Sequence, residues 1–215
     1  MKNQDFEQYA DERSMSGGLA GFHVETLSAL FGNMDHDSLI LDFGCGDGRY
    51  FPLFSKFFKK ENIYGVEISQ KRVDKSHSIG WDNALKIEPL EKLPFSDDYF
   101  DFINMDQVIE HISAHEIDFY LQEFSRILKK GGQVFITTPN YPIKRVYDIF
   151  QALFYGYWYK VFDDPTHVTH YDFKKLSSLL TKHFTLVELK PTGGFFYRII
   201  RKNFLSNKII AICNK

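Results

Sequence analysis

The sequence predicts an α/β domain whose parallel sheet is covered by helices on both faces. Three observations predict it. Short β-rich runs alternate with segments of helical spacing, a glycine cluster sits where the first run turns into the first helix, and no repeat or linker divides the 215 residues. Parallel neighbours need a crossover, and the right-handed helical crossover is the common one. With roughly 100–200 residues to a domain, the length fits one.

The elements follow in order. Residues 38–43 (SLILDF) are a strand stopped by glycines, and residues 50–58 carry Leu53, Phe54, Phe57 and Phe58 at helical spacing. Residues 62–68 (NIYGVEI) form the second strand, after which Ser69 caps a short helix reaching about His77. Residues 99–105 (YFDFINM) are another strand. The next helix opens with capping-box spacing at Ser113 and Glu116. It presents Ile117, Tyr120, Leu121, Phe124 and Leu128 on one face and is closed by Lys129, Lys130 and Gly131. Residues 133–138 (QVFITT) are a strand that Pro139 ends. After an aromatic-rich stretch, Asp172 caps a helix with Phe173, Leu176, Leu179 and Leu180 on one face, and residues 184–189 and 208–213 are two further strands.

Composition removes several function classes. The longest stretch free of Asp, Glu, Lys and Arg is residues 131–143, and it holds two Gly and two Pro. A membrane helix needs about 20 mostly apolar residues, so no membrane span is expected. The N-terminal residues MKNQDFEQYADER place charges where a signal peptide would be apolar. Two cysteines, Cys45 and Cys213, make no disulfide framework and point to a reducing, cytoplasmic compartment. Lys plus Arg number 26 against 28 Asp plus Glu, a net charge of −2, which supplies no general footprint for nucleic acid.

The most informative residues are Leu41, Asp42, Phe43, Gly44, Cys45, Gly46, Asp47 and Gly48, at the strand-to-helix turn. Alternate glycines let the backbone turn sharply and approach a ligand without a Cβ in the way. The helix start beyond them suits a carboxylate or phosphate. Glu67, nineteen residues after Gly48, stands where a carboxylate can accept hydrogen bonds from ribose hydroxyls. A nicotinamide loop would read G-x-G-x-x-G, but Arg49 occupies the position of the third glycine. Asp42 serves either as a brace of the loop or as a cofactor contact.

This G-x-G-x-G segment resembles motif I of the class I S-adenosylmethionine-dependent methyltransferases, of the type that acts on small molecules. Three further segments resemble the same family in the same order. They are Leu93-Pro94-Phe95 with Phe100-Asp101, then Val108-Ile109-Glu110-His111, then Leu128-Lys129-Lys130-Gly131-Gly132. The likeness is good over residues 38–139 and loose outside. It implies a Rossmann-like, mostly parallel seven-stranded sheet with an antiparallel final strand, as a single methyltransferase domain over 1–215. Residues 1–37 would be an N-terminal helical cap and residues 140–172 an aromatic-rich insertion, both on the substrate side.

The resemblance also implies a cofactor site for S-adenosylmethionine, with S-adenosylhomocysteine as product. The methionine tail would lie near Gly44, Cys45 and Gly46, the ribose on Glu67 and the adenine against Ile68. Family members usually place an Asp at the adenine edge, where this chain has Pro89. Glu88, or the backbone N–H of Leu90, would stand in. Met105 and Asp106 would face the amino group.

The acceptor is expected to be a small molecule carrying a hydroxyl or an amine. His111, His167 and His170 are the candidate bases, because histidine titrates near neutrality. Glu110 and His111 also match part of an E-x-x-E-H sequence with which some ubiquinone-pathway relatives can bind a divalent metal. Gln107 replaces the first Glu, and neither a Cys nor a third His lies near His167 and His170 in sequence, so no metal is expected. The aromatics from Tyr147 to Phe162, including Tyr159, read as core, as a wall over a lipophilic acceptor, or as a membrane-surface helix. Tyr9 or members of this cluster would stabilise the sulfonium by cation–π attraction.

Two other classes remain beside this one. A nucleic-acid methyltransferase is disfavoured, because Asn104-Met105-Asp106-Gln107 lacks the [DN]-P-P-[YF] signature and the chain has no Pro-Cys dipeptide. A non-catalytic protein retaining the fold would show weak cofactor binding or no turnover.

Overall fold

A computed structural model describes residues 19, 21–158, 162, 164–192 and 205–215. Tyr9, Tyr159 and most of the expected N-terminal cap lie outside the described residues.

Seven strands form one sheet: β1 (Ile40–Phe43), β2 (Ile63–Glu67), β3 (Ala84–Lys86), β4 (Phe100–Asp106), β5 (Leu128–Pro139), β6 (Thr185–Thr192) and β7 (Lys208–Asn214). Their order is β3-β2-β1-β4-β5-β7-β6. β1 runs parallel to β2 and β4, and β2 parallel to β3, whereas β7 is antiparallel to both β5 and β6. The mostly parallel sheet with an antiparallel final strand is therefore present. The helices are α1 (Gly21–Phe31), α2 (Phe51–Phe54), α3 (Gln70–Ser78), α4 (Ile117–Ile127), α5 (Ile143–Tyr155) and α6 (Phe173–Leu180). No helix among the described residues is long and apolar enough to cross a membrane. The chain divides into two compact units, residues 1–104 with 127–129 and residues 105–126 with 130–215.

In the first unit every residue of β1 is buried, as expected of a strand covered on both faces. Phe31 of α1 packs its ring against Phe54, Phe58 and Phe102 with centroids 4.9–5.6 Å apart. Trp81 stacks on Phe51 at 5.0 Å and donates its indole N–H to the Ile63 carbonyl at 2.8 Å. Gly65 is the close approach this packing demands, since a Cβ there would meet the Trp81 ring at 2.6 Å. α3 packs on β2 and β3, and its cap is the expected one, the Ser69 side chain accepting from the Arg72 N–H.

In the second unit β7 runs between β5 and β6, with Phe135 opposite Ile212 and Leu189 opposite Ala211. Half of the expected capping box of α4 is formed: Glu116 Oε2 accepts from both the N–H and the hydroxyl of Ser113, while the Glu116 N–H donates to the Ser113 carbonyl instead of its hydroxyl. Asp172 caps α6 by accepting the Lys175 N–H at 2.7 Å.

Three local expectations change. The helix expected over residues 50–58 is only α2, because bonds from Lys56 to Leu53 and Phe57 to Phe54 tighten the chain into turns after Ser55. The short strand β3 was not anticipated, three residues being too few to show a period. Leu128 begins β5 instead of completing the α4 face, and Lys129, Lys130 and Gly131 lie inside that strand. Pairing of β5 overrides a local helix-stop signal there. The aromatic stretch is core only in part. Tyr147 and Ala152 of α5 are buried, whereas Val146, Ile149, Leu153, Phe154, Tyr155 and Trp158 face solvent.

Candidate functional site

The first unit holds the glycine loop. Gly44, Gly46 and Gly48 have φ of 73°, 56° and 81°, left-handed conformations that cost other residues roughly 1–2 kcal/mol. A Cβ on Gly48 would also lie 2.8 Å from Ile79 Cδ1. The loop is tied down along its length. The N–H groups of Gly44 and Cys45 both donate to the Val66 carbonyl, at 2.8 and 3.1 Å, and the Ser76 hydroxyl donates to the Gly46 carbonyl at 3.1 Å. Asp47 lies 3.9 Å from Arg72 and 3.5 Å from Lys75 of α3.

Glu67, at the end of β2, is only 8% exposed. Its Oε2 accepts the Gly46 N–H at 3.0 Å, and its Oε1 accepts the N–H groups of Ile68 and Ser69 at 2.8 and 3.1 Å. A carboxylate has about four acceptor positions, so this one retains capacity for a further donor while its orientation is already set. Asp42 is buried and accepts the Asn104 side-chain N–H of β4 at 2.7 Å. Burial, followed by the charges of Asp42 and Glu67, pushes the Cys45 thiol well above its ordinary range, so this loop cysteine is no ready thiolate.

The other expected contact residues are spread more widely. Ile68 and Glu88 are half-buried, Glu88 pairing with Lys86 at 2.6 Å, and Leu90 is exposed with φ 61°. Met105 and Asp106 fall in the second unit, where Met105 is fully buried and Asp106 accepts from the Thr137 hydroxyl.

The second unit gathers the histidines. His111 lies in a short 3₁₀ turn (Ile109–His111) after β4, and its ring centroid is 4.9 Å from that of His167. His111 Nδ1 bonds to the Thr166 carbonyl at 3.0 Å, and His167 Nδ1 to the Tyr141 hydroxyl at 2.8 Å. His170 stands apart from that pair, stacked on the Tyr141 ring at 4.0 Å. Glu110, 1% exposed, accepts the Thr138 hydroxyl at 3.2 Å. Burial raises its carboxyl to about 8 against the smaller opposing effect of its hydrogen bonds. Burial, with the charges of Glu110 and Asp118, likewise raises the Tyr171 hydroxyl.

Sequence reasoning did not anticipate Asn104, Ser76, Thr138, Tyr141 or Thr166 as partners of site residues. Asn104 alone left a signal, as an amide within an apolar strand. The others are ordinary residue types whose role depends on contacts distant in sequence.

Residues 41–136 match a family described as a methyltransferase domain. An uncharacterised methyltransferase of Schizosaccharomyces pombe is 35% identical over 106 residues, covering 44% of this chain and 37% of that protein. A ubiquinone biosynthesis O-methyltransferase of Pelagibacter ubique is 31% identical over 108 residues, covering 49% of this chain and 43% of that protein. The chain thus spans about two fifths of the length of these curated relatives. A crystal structure of an S-adenosylmethionine-dependent methyltransferase from Archaeoglobus fulgidus shares the fold, with a TM-score of 0.65 and 18% identity over 100% of both chains.

Proposed function

We propose that the chain transfers a methyl group from S-adenosylmethionine to a hydroxyl of a small-molecule acceptor, and the match of residues 41–136 to a methyltransferase-domain family supports this reading. The observation that carries the reading is Glu67. It is a buried carboxylate held by three backbone N–H groups, one of them from the left-handed glycine Gly46. Such a group binds a ribose hydroxyl with little loss of side-chain entropy, because its position is set before the ligand arrives. Gly44, Cys45 and Gly46 line the tail of the cofactor, Ile68 lies against its adenine, and Glu88 or the Leu90 N–H meets the adenine edge.

When bound, S-adenosylmethionine supplies an activated methyl group on a sulfonium. The protein is left with placement, exclusion of water and, for a hydroxyl acceptor, disposal of a proton. A backbone carbonyl only accepts, so His111 donates its Nδ1–H to Thr166 and carries its lone pair on Nε2 when neutral. We assign the acceptor's proton to the His111 and His167 cluster, with His170 and Tyr141 positioning. The solvent-facing apolar side of α5 is the acceptor-side wall and favours a flat or lipophilic molecule. A relative whose name specifies O-methylation supports oxygen over nitrogen. Free, buried Cys45 and Cys213 suit a reducing, cytoplasmic compartment.

Titration calorimetry with S-adenosylmethionine and S-adenosylhomocysteine, with NAD as control, tests the cofactor. Labelled-methyl transfer to a panel of phenols and aliphatic alcohols tests the acceptor. Micromolar binding of the two adenosyl compounds alone, with transfer to a phenol, is expected. Absence of binding overturns the reading, and binding without turnover on any acceptor moves it to a non-catalytic protein of this fold.

A further inference from the structure

One cluster in the second unit is built beyond what proton acceptance requires. Glu110, His111 and His167 each present a ligand atom, and these atoms lie within 4.8 Å of one another, the only such group found among the described residues. Two of the three are neighbours in sequence, and the third comes from 56 residues further on. Backbone bonds clamp the segments together. The Thr169 N–H donates to the Glu110 carbonyl at 3.0 Å, and the Thr169 hydroxyl donates to the Ile112 carbonyl at 2.7 Å.

The side chains are also oriented. His111 Nδ1 is committed to the Thr166 carbonyl and His167 Nδ1 to the Tyr141 hydroxyl, which leaves Nε2 as the second nitrogen of each ring. Glu110 is held by Thr138. A histidine that binds a metal through one ring nitrogen almost always gives the other to a carbonyl, carboxylate or water, and a ligating carboxylate is itself hydrogen-bonded. This cluster has those outer partners for all three members.

We propose that Glu110, His111 and His167 bind a divalent cation of the zinc class, with a fourth coordination position open to solvent or acceptor. Two imidazoles and one carboxylate suit zinc and its first-row neighbours, whereas magnesium and calcium take six or more oxygens. Tetrahedral bonds of about 2.0–2.2 Å hold ligands about 3.5 Å apart, so side-chain rotations of about an ångström close the cluster. The site differs from an E-x-x-E-H one, because Gln107 is turned to Thr137, donating from Nε2 to its hydroxyl at 3.0 Å, and the third ligand is His167. Cation binding stands on this geometry alone. Only the cation's part in the reaction rests on the proposed function: with a cation held, His111 and His167 would act as ligands in place of proton acceptors, and the Lewis acidity of the cation would lower the pKa of an acceptor hydroxyl at the open position so that its proton could leave to water.

The test uses the full chain, stripped with a chelator and titrated with Co²⁺, whose visible d–d absorption reports the ligand field. One equivalent is expected to bind with a four- or five-coordinate spectrum. His167→Ala and Glu110→Gln should abolish the band, and the exposed-site variant His36→Ala should leave it unchanged. Tyr141→Phe keeps the ring and removes only the outer hydroxyl. It should weaken binding about 10–100-fold, the usual effect of losing such a partner, and it decides the matter if a ligand variant fails to fold by circular dichroism. No binding, several weak equivalents, or a spectrum unchanged in His167→Ala or Tyr141→Phe overturns the site. Calorimetry with S-adenosylmethionine on the stripped protein separates that failure from a failure of the methyltransferase reading.

Discussion

Asn104 donates its side-chain N–H to Asp42 Oδ1 at 2.7 Å, and the two residues are direct partners across the parallel β1 and β4 pair, both essentially out of solvent. This bond holds a buried carboxylate at the root of the glycine loop. Asn104→Leu removes the donor and leaves the carboxylate buried. Such a loss costs about 1–3 kcal/mol. A lower urea midpoint at unchanged m is expected, and an unchanged midpoint would show that the bond contributes nothing.

Glu67→Ala should weaken S-adenosylmethionine binding by about 1–3 kcal/mol, the cost of losing charge-assisted hydrogen bonds. The same change releases the Gly46 N–H, so the ligand-free protein should also melt lower. Calorimetry and thermal unfolding measured together separate the two effects. Undiminished affinity would remove Glu67 from the cofactor site.

Gly48→Ala and Gly80→Ala make a pair, since both glycines have φ above +80° but only Gly48 has neighbours within 4 Å of the added carbon. The backbone cost of about 1–2 kcal/mol is shared, and the contact with Ile79 is extra. At roughly 2–4 °C per kcal/mol for a chain of this size, Gly48→Ala should show the larger drop in melting temperature. Equal drops would mean that Ile79 yields at no cost.

Burial raises the Cys213 thiol to about 12. An unfolded thiol ionises near pH 8.5, so above that pH the unfolded state binds fewer protons than the native one. The stability associated with this thiol is complete below about pH 8.5 and is lost as pH rises toward 12. Urea unfolding at pH 7 and pH 10 should therefore show a smaller alkaline loss in Cys213→Ala than in the parent chain. Equal losses would contradict burial as the cause.

Replacing His111 or His167 by Ala should lower methyl transfer by about 10²–10⁴-fold, the range for a positioned proton acceptor, and leave S-adenosylmethionine affinity within about twofold. Near-full turnover in His111→Ala, His167→Ala and His170→Ala alike would overturn the assignment of the proton to this cluster.

Much of the fold was legible because it is written in short-range pattern. Ser69 and Asp172 each accept an N–H three residues on, Glu116 reaches back to the Ser113 N–H, and such a side-chain oxygen finds its N–H within one turn whatever the rest of the chain does. The glycine loop was legible for the same reason, since left-handed φ is a property of single residues. Leu128 to Gly131 misled because a local helix-stop signal falls at the start of a strand whose pairing with β7, from Gln133 onward, joins residues about 70–80 positions apart.

What the sequence by itself determined is the alternation of strands and helices, the G-x-G-x-G turn and the carboxylate nineteen residues after it. All of these are fixed by interactions within a few residues or by a spacing that the backbone translates directly. Only the tertiary structure decided that three backbone N–H groups orient Glu67, that Asn104 braces Asp42, and that His167 joins Glu110 and His111 while His170 does not. Apart from the N–H groups of Ile68 and Ser69, which follow Glu67 directly, those relationships join segments 21 to 62 positions apart. Burial and pairing of whole elements bring such residues together, and no local period records it.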